Sequence, residues 1–298
     1  MPAPLLIADV PWLLYRAYFS LPKSIVGADG QPVNALLGTV NALLSMLEAR
    51  PSRAVAACFG AEQATYRVEL YPGYHAQREP MPPELAVQWE QAPALLRSLG
   101  WTVDRSDELE ADDVMFSFAR TEEADGGRAL LLTGDRDLFQ AVNDHVAVLT
   151  PGKGGEDPVE IGPPQVRERY GIDPALVTDF IALRGDPSDG LPGAPGIGAK
   201  TAAELLSRHG SLEGVLLAAE ATAGAGGGAA GGQMRPRTAA ALRENAELLR
   251  AFKLIATLQR IDVQAPEDRA TDFAAGALAA QELGMGRLAK RLEGLATA

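Results

Sequence analysis

The 298-residue chain is 47% hydrophobic and 22% charged, proportions that exclude a wholly disordered or fibrous protein and leave sequence for one large domain or two smaller ones. Its 27 Lys and Arg against 39 Asp and Glu give a formal net charge of −12, which excludes coating nucleic acid by bulk charge but not a local basic groove. A single cysteine, Cys58, excludes an intrachain disulfide and suits a reducing cytoplasm.

Residues 5–8 read as a short buried strand ending at Asp9. The apolar start is broken by Asp9, Pro11 and Arg16 and has no basic leader, so neither a signal peptide nor a membrane span is expected. Residues 33–47 place Leu36, Leu37, Val40, Leu43, Leu44 and Leu47 on one helical stripe, the mark of a core-facing helix. Four more β-type runs follow, at 53–59, 101–104, 128–133 and 146–150, with helical patterns between them. Cys58 lies in the first of these and reads as a buried structural thiol. The alternation predicts an α/β fold with a mainly parallel sheet over residues 1–162. Beyond about Gly162 the strand signals fade. Helical patterns at 175–184, 201–208 and 239–259 predict a helical subdomain over 163–298. Within it, the Ala/Gly tract at 218–233 is too rich in glycine for a stable helix and reads as a mobile loop.

The strand ends are acidic. Asp9 closes the first strand, Asp135 and Asp137 follow the fourth, and Glu110, Asp112 and Asp113 open a helix after the third. In an open parallel sheet the C-terminal strand ends share one crevice, so acids far apart in sequence meet there. Asp135 and Asp137, two apart on extended backbone, are expected to point the same way. Glu110 and Asp112 converge if Glu110 precedes the first helical turn. Asp186 and Asp189, in Gly185-Asp-Pro-Ser-Asp-Gly190, add an acidic turn. Any one of these acids serves equally as a helix cap, a turn former or a solvated charge. Gathered in one cleft they repel each other unless protonated or bridged by divalent ions, and hard oxygen donors select Mg²⁺ or Mn²⁺. No His or Cys pair has zinc spacing. Two such ions form a clamp for phosphodiester hydrolysis.

Gly193-Ala-Pro-Gly-Ile-Gly-Ala-Lys200-Thr201 departs from a nucleotide-binding phosphate loop. Ala199 separates Gly198 from Lys200 and no strand leads in, so no nucleotide cofactor is expected. A helix-turn-helix corner built on Gly-Ile-Gly offers backbone N–H groups and Lys200 to one phosphate of a DNA strand, or serves only as a structural corner.

In this order the motifs resemble the 5′ nuclease (flap endonuclease) family, which includes the 5′-3′ exonuclease domain of bacterial DNA polymerase I and its stand-alone paralogues. The matching text runs from Leu5-Leu-Ile-Ala-Asp9 through Gly73-Tyr-His-Ala-Gln-Arg78, Glu110-Ala-Asp-Asp113 and Leu132-Thr-Gly-Asp-Arg-Asp-Leu138. It continues through Gly185-Asp-Pro-Ser-Asp-Gly-Leu-Pro-Gly193 into Gly196-Ile-Gly-Ala-Lys-Thr201. The resemblance implies a PIN-like core, a helical arch at about 65–98 and a helix-three-turn-helix DNA clamp. It implies Asp9, Glu110 and Asp112 at a first ion, with Asp113 nearby, and Asp135, Asp137, Asp186 and Asp189 at a second. Arg67, His75 and Arg78 are expected as catalytic residues at the scissile phosphate or threaded strand. Tyr74 is expected to stack on a base or to pack within the arch. Gly196, Ile197, Gly198, Lys200 and Thr201 are expected to grip the duplex, with K⁺ at the hairpin.

Three positions depart from the family. Gly60 follows Phe59 where Asp is usual, which weakens the first ion site; His75 replaces Lys; and Gly190 replaces Asn. Glu62 stands near the gap, as a surrogate ligand or as an exposed loop residue. Two readings follow from the resemblance. One is a metal-dependent nuclease, with altered or reduced activity, acting on DNA with a 5′ flap, a nick or a single-stranded 5′ end. The other is a catalytically weakened or inactive paralogue that binds DNA structures. An RNA-directed PIN nuclease fits less well, since such domains usually lack the Gly-Ile-Gly clamp.

Overall fold

The computed structural model describes residues 3–152, 157–224 and 234–297. Its strands are β1 (Leu5–Asp9), β2 (Ala54–Phe59), β3 (Thr102–Arg105), β4 (Ala129–Leu132), β5 (Val146–Thr150) and β6 (Val159–Ile161), in one sheet ordered β3-β2-β1-β4-β5-β6. β1 to β5 run parallel and match the five predicted runs, while β6 pairs antiparallel with β5. Short apolar runs bounded by turn residues are the signal of strands buried on both faces. β6, three residues long with Val159 exposed, carries no such signal.

Successive strand residues point to opposite faces, and the core divides accordingly. Leu5, Ile7, Cys58 and Leu131 face one side; Leu6, Ala8, Phe59 and Leu132 face the other. The first half supplies α1 (Val10–Ser20), α2 (Asn34–Ala49), α3 (Thr65–Leu70), α4 (Pro83–Ser98) and α5 (Ala111–Ala124). α1, α2 and α4 cover the Leu6 face, and α5 covers the Leu5 face. α2 buries Leu36, Val40, Leu43 and Leu44 as its stripe predicts, with Leu37 and Leu47 at the margin. Over residues 65–98, α4 buries Leu85, Leu95 and Leu96 in the core, while Arg67 of α3, Trp89 of α4 and the turns between the two helices reach the cleft described below.

The second half supplies α6 (Pro163–Tyr170), α7 (Val177–Arg184), α8 (Ala199–His209), α9 (Leu212–Gly224), α10 (Pro236–Glu244) and α11 (Ala246–Ala256). Val166, Phe180, Leu206, Leu242 and Phe252 join the α5-side core without a break. The helix expected over 239–259 is two, interrupted at Asn245, whose φ of −111° and ψ of 11° leave the helical region. α9 runs to Gly224, so the first part of the Ala/Gly tract is helical, and residues 225–233 lie outside the described residues.

The last two helices are α12 (Phe273–Glu282) and α13 (Gly286–Ala296). Ala277, Ala280, Leu288 and Leu292 pack into the α1–α2–α4 core, and Arg291 donates to Asn41 and Glu48 of α2 at 2.7 Å. The closing hairpin therefore completes the sheet half instead of extending the helical one. Its helical composition is legible in sequence, but the surface that it covers is not. Among the described residues no helix is long and apolar enough to cross a membrane.

Candidate active site

β1 and β4 are neighbours at the point where the chain reverses its direction of travel across the sheet, so a crevice opens beyond their C-terminal ends. Asp9 ends β1 and also caps α1. Its Oδ1 accepts the Trp12 N–H at 2.9 Å, and its Oδ2 accepts the Thr133 hydroxyl at 2.7 Å. Asp135 and Asp137 follow β4 in a turn, not on the extended backbone expected. Arg136 between them has φ −91° and ψ −14°, and the Asp137 N–H donates to Asp135 Oδ1 at 2.8 Å. Glu110 is the N-cap of α5 on extended backbone, φ −81° and ψ 165°, the placement that its convergence with Asp112 requires.

Asp9, Glu110, Asp112, Asp135, Asp137 and Asp189 line one cleft of about 310 Å³. Arg67, Tyr74, His75 and Arg78 reach the same cleft, as do Trp12 and Tyr15 of α1, which the sequence reading passed over. The signal for these two lay in their spacing from Asp9, since residues three and six positions beyond a helix cap fall near one face of the helix.

Burial raises the pKa of four of the cleft acids, and neighbouring charges add to the shift in three of them. Asp9 is shifted up by burial, against the Thr133 and Trp12 hydrogen bonds and the charge of Arg78. Burial, then the charges of Asp135 and Asp9, hold Asp112 well above the usual carboxylate range. Burial raises Asp135 to about 6, with Asp189, Asp9 and Asp186 adding to the shift. Burial and the neighbouring Asp135, Asp189 and Asp186 raise Asp137 well above its ordinary value. Among the described residues no three carboxylates are already gathered as a ready-made cage for an ion. The donor chemistry nonetheless fits a hard divalent cation, because the groups are oxygen ligands whose ionised forms are destabilised until a positive charge joins them.

Several expected site residues do other work. Asp113 is fully buried beneath the cleft. Its carboxylate takes both guanidinium nitrogens of Arg67, at 2.9 and 2.8 Å, together with the Gln259 and Glu110 N–H groups. Arg67, 3% exposed, also donates to the Ile255 carbonyl at 2.9 Å and pairs with Glu110 at 3.1 Å, so it holds the site's walls and is not free for a phosphate. Tyr74 is buried and donates to both Glu110 carboxylate oxygens, at 3.1 and 2.9 Å. His75 is buried, with Nε2 3.2 Å from Asp189 Oδ1. Of the three expected cations only Arg78 is exposed, and it donates to the Glu62 carbonyl at 2.7 Å. Asp186 does not line the cleft; it pairs with Arg184 at 3.0 Å and acts on Asp135 and Asp137 through its charge.

Gly60 has a packing role. A Cβ there would lie 2.2 Å from the Ala111 nitrogen and 2.3 Å from the Glu110 carbonyl carbon, so an Asp would have to displace the start of α5. Glu62 is exposed and bonds the Tyr15 hydroxyl at 3.4 Å.

The Gly-Ile-Gly corner lies outside the acid-lined cleft. Gly196, with φ +77°, and Gly198 are exposed, and nothing stands within 4 Å of where a Cβ would be. Ile197 is 5% exposed and belongs to the helical core, so its side chain anchors the corner and does not touch a ligand. Gly198 caps α8, and exposed Lys200 borders a shallow hollow with Tyr170, Ser207 and Arg208, while Thr201 is half-buried.

A mainly parallel sheet with acids gathered at its strand ends, joined to a helical half with an open Gly-Ile-Gly corner, defines a PIN-like nuclease fold. Residues 4–171 match the family description "5′-3′ exonuclease, N-terminal resolvase-like domain", and residues 172–276 match "5′-3′ exonuclease, C-terminal SAM fold". The chain belongs to the 5′-3′ exonuclease family. It is 38% identical over 241 residues to a 5′-3′ exonuclease of Mycobacterium tuberculosis, covering 74% of this chain and 75% of that protein. It is 37% identical over 268 residues to the DNA polymerase I of the same organism, covering 89% of this chain but only 29% of the polymerase. The chain thus spans less than a third of that relative's length. Its fold resembles bacteriophage T5 D15 flap endonuclease in complex with DNA and metal ions, with a TM-score of 0.66 at 17% identity over 99% of this chain and 100% of that one. It also resembles human GEN1 bound to Holliday junction DNA, with a TM-score of 0.65 at 14% identity over 98% and 71% of the two chains.

Two outcomes are expected from this geometry. Arg67→Ala strands the buried Asp113 charge and should lower unfolding stability by about 3–5 kcal/mol in a denaturant titration. Arg67→Lys should recover only part of that loss, since an ammonium cannot reproduce the two-pronged contact; full recovery would show that the fork is unimportant.

The raised acids also make stability depend on pH. Asp135 keeps its proton up to about 6 when folded but only to its ordinary 3.8 when unfolded, so stability falls as pH rises between the two. In EDTA the melting temperature should be lower at about pH 7.5 than at about pH 5, by a smaller margin in Asp135→Asn. A flat profile would contradict the electrostatic account.

Proposed function

We propose that the chain is a divalent-metal-dependent 5′ nuclease that hydrolyses DNA phosphodiesters at a flap, a nick or a single-stranded 5′ end. The observation that carries this reading is the acid-lined cleft, in which Asp9 is pushed toward protonation by burial, and Asp112, Asp135 and Asp137 by burial and by the charges of neighbouring acids. Asp9, Glu110 and Asp112 would hold one Mg²⁺ or Mn²⁺ ion, and Asp135, Asp137 and Asp189 a second, with Asp186 acting from behind. Bound there, the ions supply an activated water and neutralise charge at the scissile phosphate.

The chain's own residues do the rest. Thr133 and the Trp12 N–H orient Asp9, and Tyr74 and Arg67 hold Glu110. Arg78, at the cleft and exposed, draws the phosphate in. Lys200 and the N–H groups of the Gly196 to Gly198 corner grip the duplex backbone away from the cut, with K⁺ at the corner as part of the same contact.

A second reading, a DNA-structure-binding protein with little turnover, is favoured by Gly60, which leaves no carboxylate and no room for one beside Glu110.

Cleavage of a 5′-flap DNA separates the two readings. The first expects cutting that requires a divalent ion, better supported by Mn²⁺ than by Mg²⁺, and abolished in Asp137→Ala with DNA affinity largely kept. Binding without cutting in either ion selects the second. For the clamp, Lys200→Ala should weaken binding to all duplex sequences alike and reduce the salt-dependence slope by about one. An unchanged slope would remove Lys200 from the interface.

A further inference from the structure

Among the described residues His75 is the one non-glycine residue with positive φ, at +52°. Such a backbone is unfavourable for an L-residue and persists where its surroundings over-determine it. Two contacts tie His75 to the acidic turn: its main-chain N–H donates to the Asp189 carbonyl at 3.0 Å, and its Nε2 lies 3.2 Å from Asp189 Oδ1. The ring stacks on Tyr74 with centroids 4.0 Å apart, its side chain is 5% exposed, and its Nδ1 is buried without a hydrogen-bond partner. From the other side, Gly190 has φ +75°, and a Cβ there would stand 2.5 Å from the Gly73 carbonyl oxygen. The two turns approach as closely as a missing side chain allows.

A contact in which Asp189 Oδ1 is the acceptor requires a proton on Nε2. In a neutral ring Nδ1 is then a bare acceptor, which needs a partner less urgently than a buried N–H does. Direct contact with a phosphate is poorly served by a ring with Nε2 engaged and Nδ1 closed off. Packing alone accounts for neither the left-handed backbone nor the unpaired nitrogen.

We propose that His75 is a positioning residue whose Nε2–H fixes the Asp189 carboxylate in the cleft and thereby sets the cleft's affinity for a divalent ion. This rests on the divalent-ion reading above. Without that hydrogen bond Asp189, on a half-exposed turn, keeps only its contact with Asp137, and ion binding must supply more of its restraint.

The test titrates Mn²⁺ alone into the full chain by calorimetry at one fixed pH, with melting in EDTA as the check on folding. His75→Gln keeps an amide donor where Nε2 stands. His75→Asn accepts the left-handed backbone more readily but brings its donor only as far as Nδ1. Mn²⁺ affinity is expected to fall about 10- to 100-fold in His75→Asn and to stay close to wild type in His75→Gln, the usual scale for losing a residue that orients a ligand. Wild-type affinity in His75→Asn, or an equal loss in both variants, overturns the proposal. Should either variant fail to fold, nitrogen NMR of the wild-type imidazole decides. A proton on Nε2 supports the assignment, and a proton on Nδ1 with Nε2 bare overturns it. Absence of Mn²⁺ binding by the wild type would instead remove the divalent-ion reading, which keeps the two failures apart.

Discussion

The buried ion pair between Arg67 and Asp113 is the joint on which the cleft depends. Arg67 comes from α3, Asp113 from the first turn of α5, and the Ile255 carbonyl and Gln259 N–H that complete the network from the end of α11 and the chain beyond it. Three segments distant in sequence are therefore bound at one buried point. Neither charge is stable there without the other, because desolvating a lone ion costs more than the surrounding packing returns. The same network reaches the cleft wall directly: Asp113 accepts the Glu110 N–H, and Arg67 pairs with the Glu110 carboxylate.

Above that joint the site is electrostatically frustrated. Carboxylates at the ends of β1 and β4 and the start of α5 are held close by a sheet that has no other way to arrange its strand ends. Asp112, Asp135 and Asp137 are each destabilised in their charged form by burial and by their neighbours. Such a cleft opposes folding at neutral pH and favours any cation that enters it, so a stability cost and an affinity arise from one arrangement. Thr133 and the α1 N-terminus ease the burden on Asp9 by giving both of its oxygens donors.

Gly60 and His75 occupy positions where the family's chemistry is usually carried by an acid and a cation. Here Gly60 serves close packing, and His75 contacts the acidic turn. Gly60 lets the backbone at Glu110 and Ala111 close onto the end of β2, and His75 joins the turn after α3 to the Asp186–Leu191 turn. The cleft thus has one fewer acid and one fewer mobile cation, and a tighter frame around those that remain.

The five parallel strands, the core-facing stripe of α2 and the acids that line the cleft were legible in the sequence, because burial periodicity and turn chemistry are local. Whether Glu110 lay before the first helical turn stayed open in the sequence, and the structure places it there as the N-cap of α5. Tertiary structure decided the rest. That Asp113 lies beneath the cleft while Asp112 lines it depends on where Arg67 arrives from another helix, and adjacent helical residues point about 100° apart. That Tyr74 and Ile197 are buried depends on surfaces contributed by distant segments. The composition after Pro266 is helical, but only the assembled core shows that α12 and α13 return to the sheet half. A sequence records which residues seek burial or carry charge; which partner satisfies each of them is fixed only when the chain has closed.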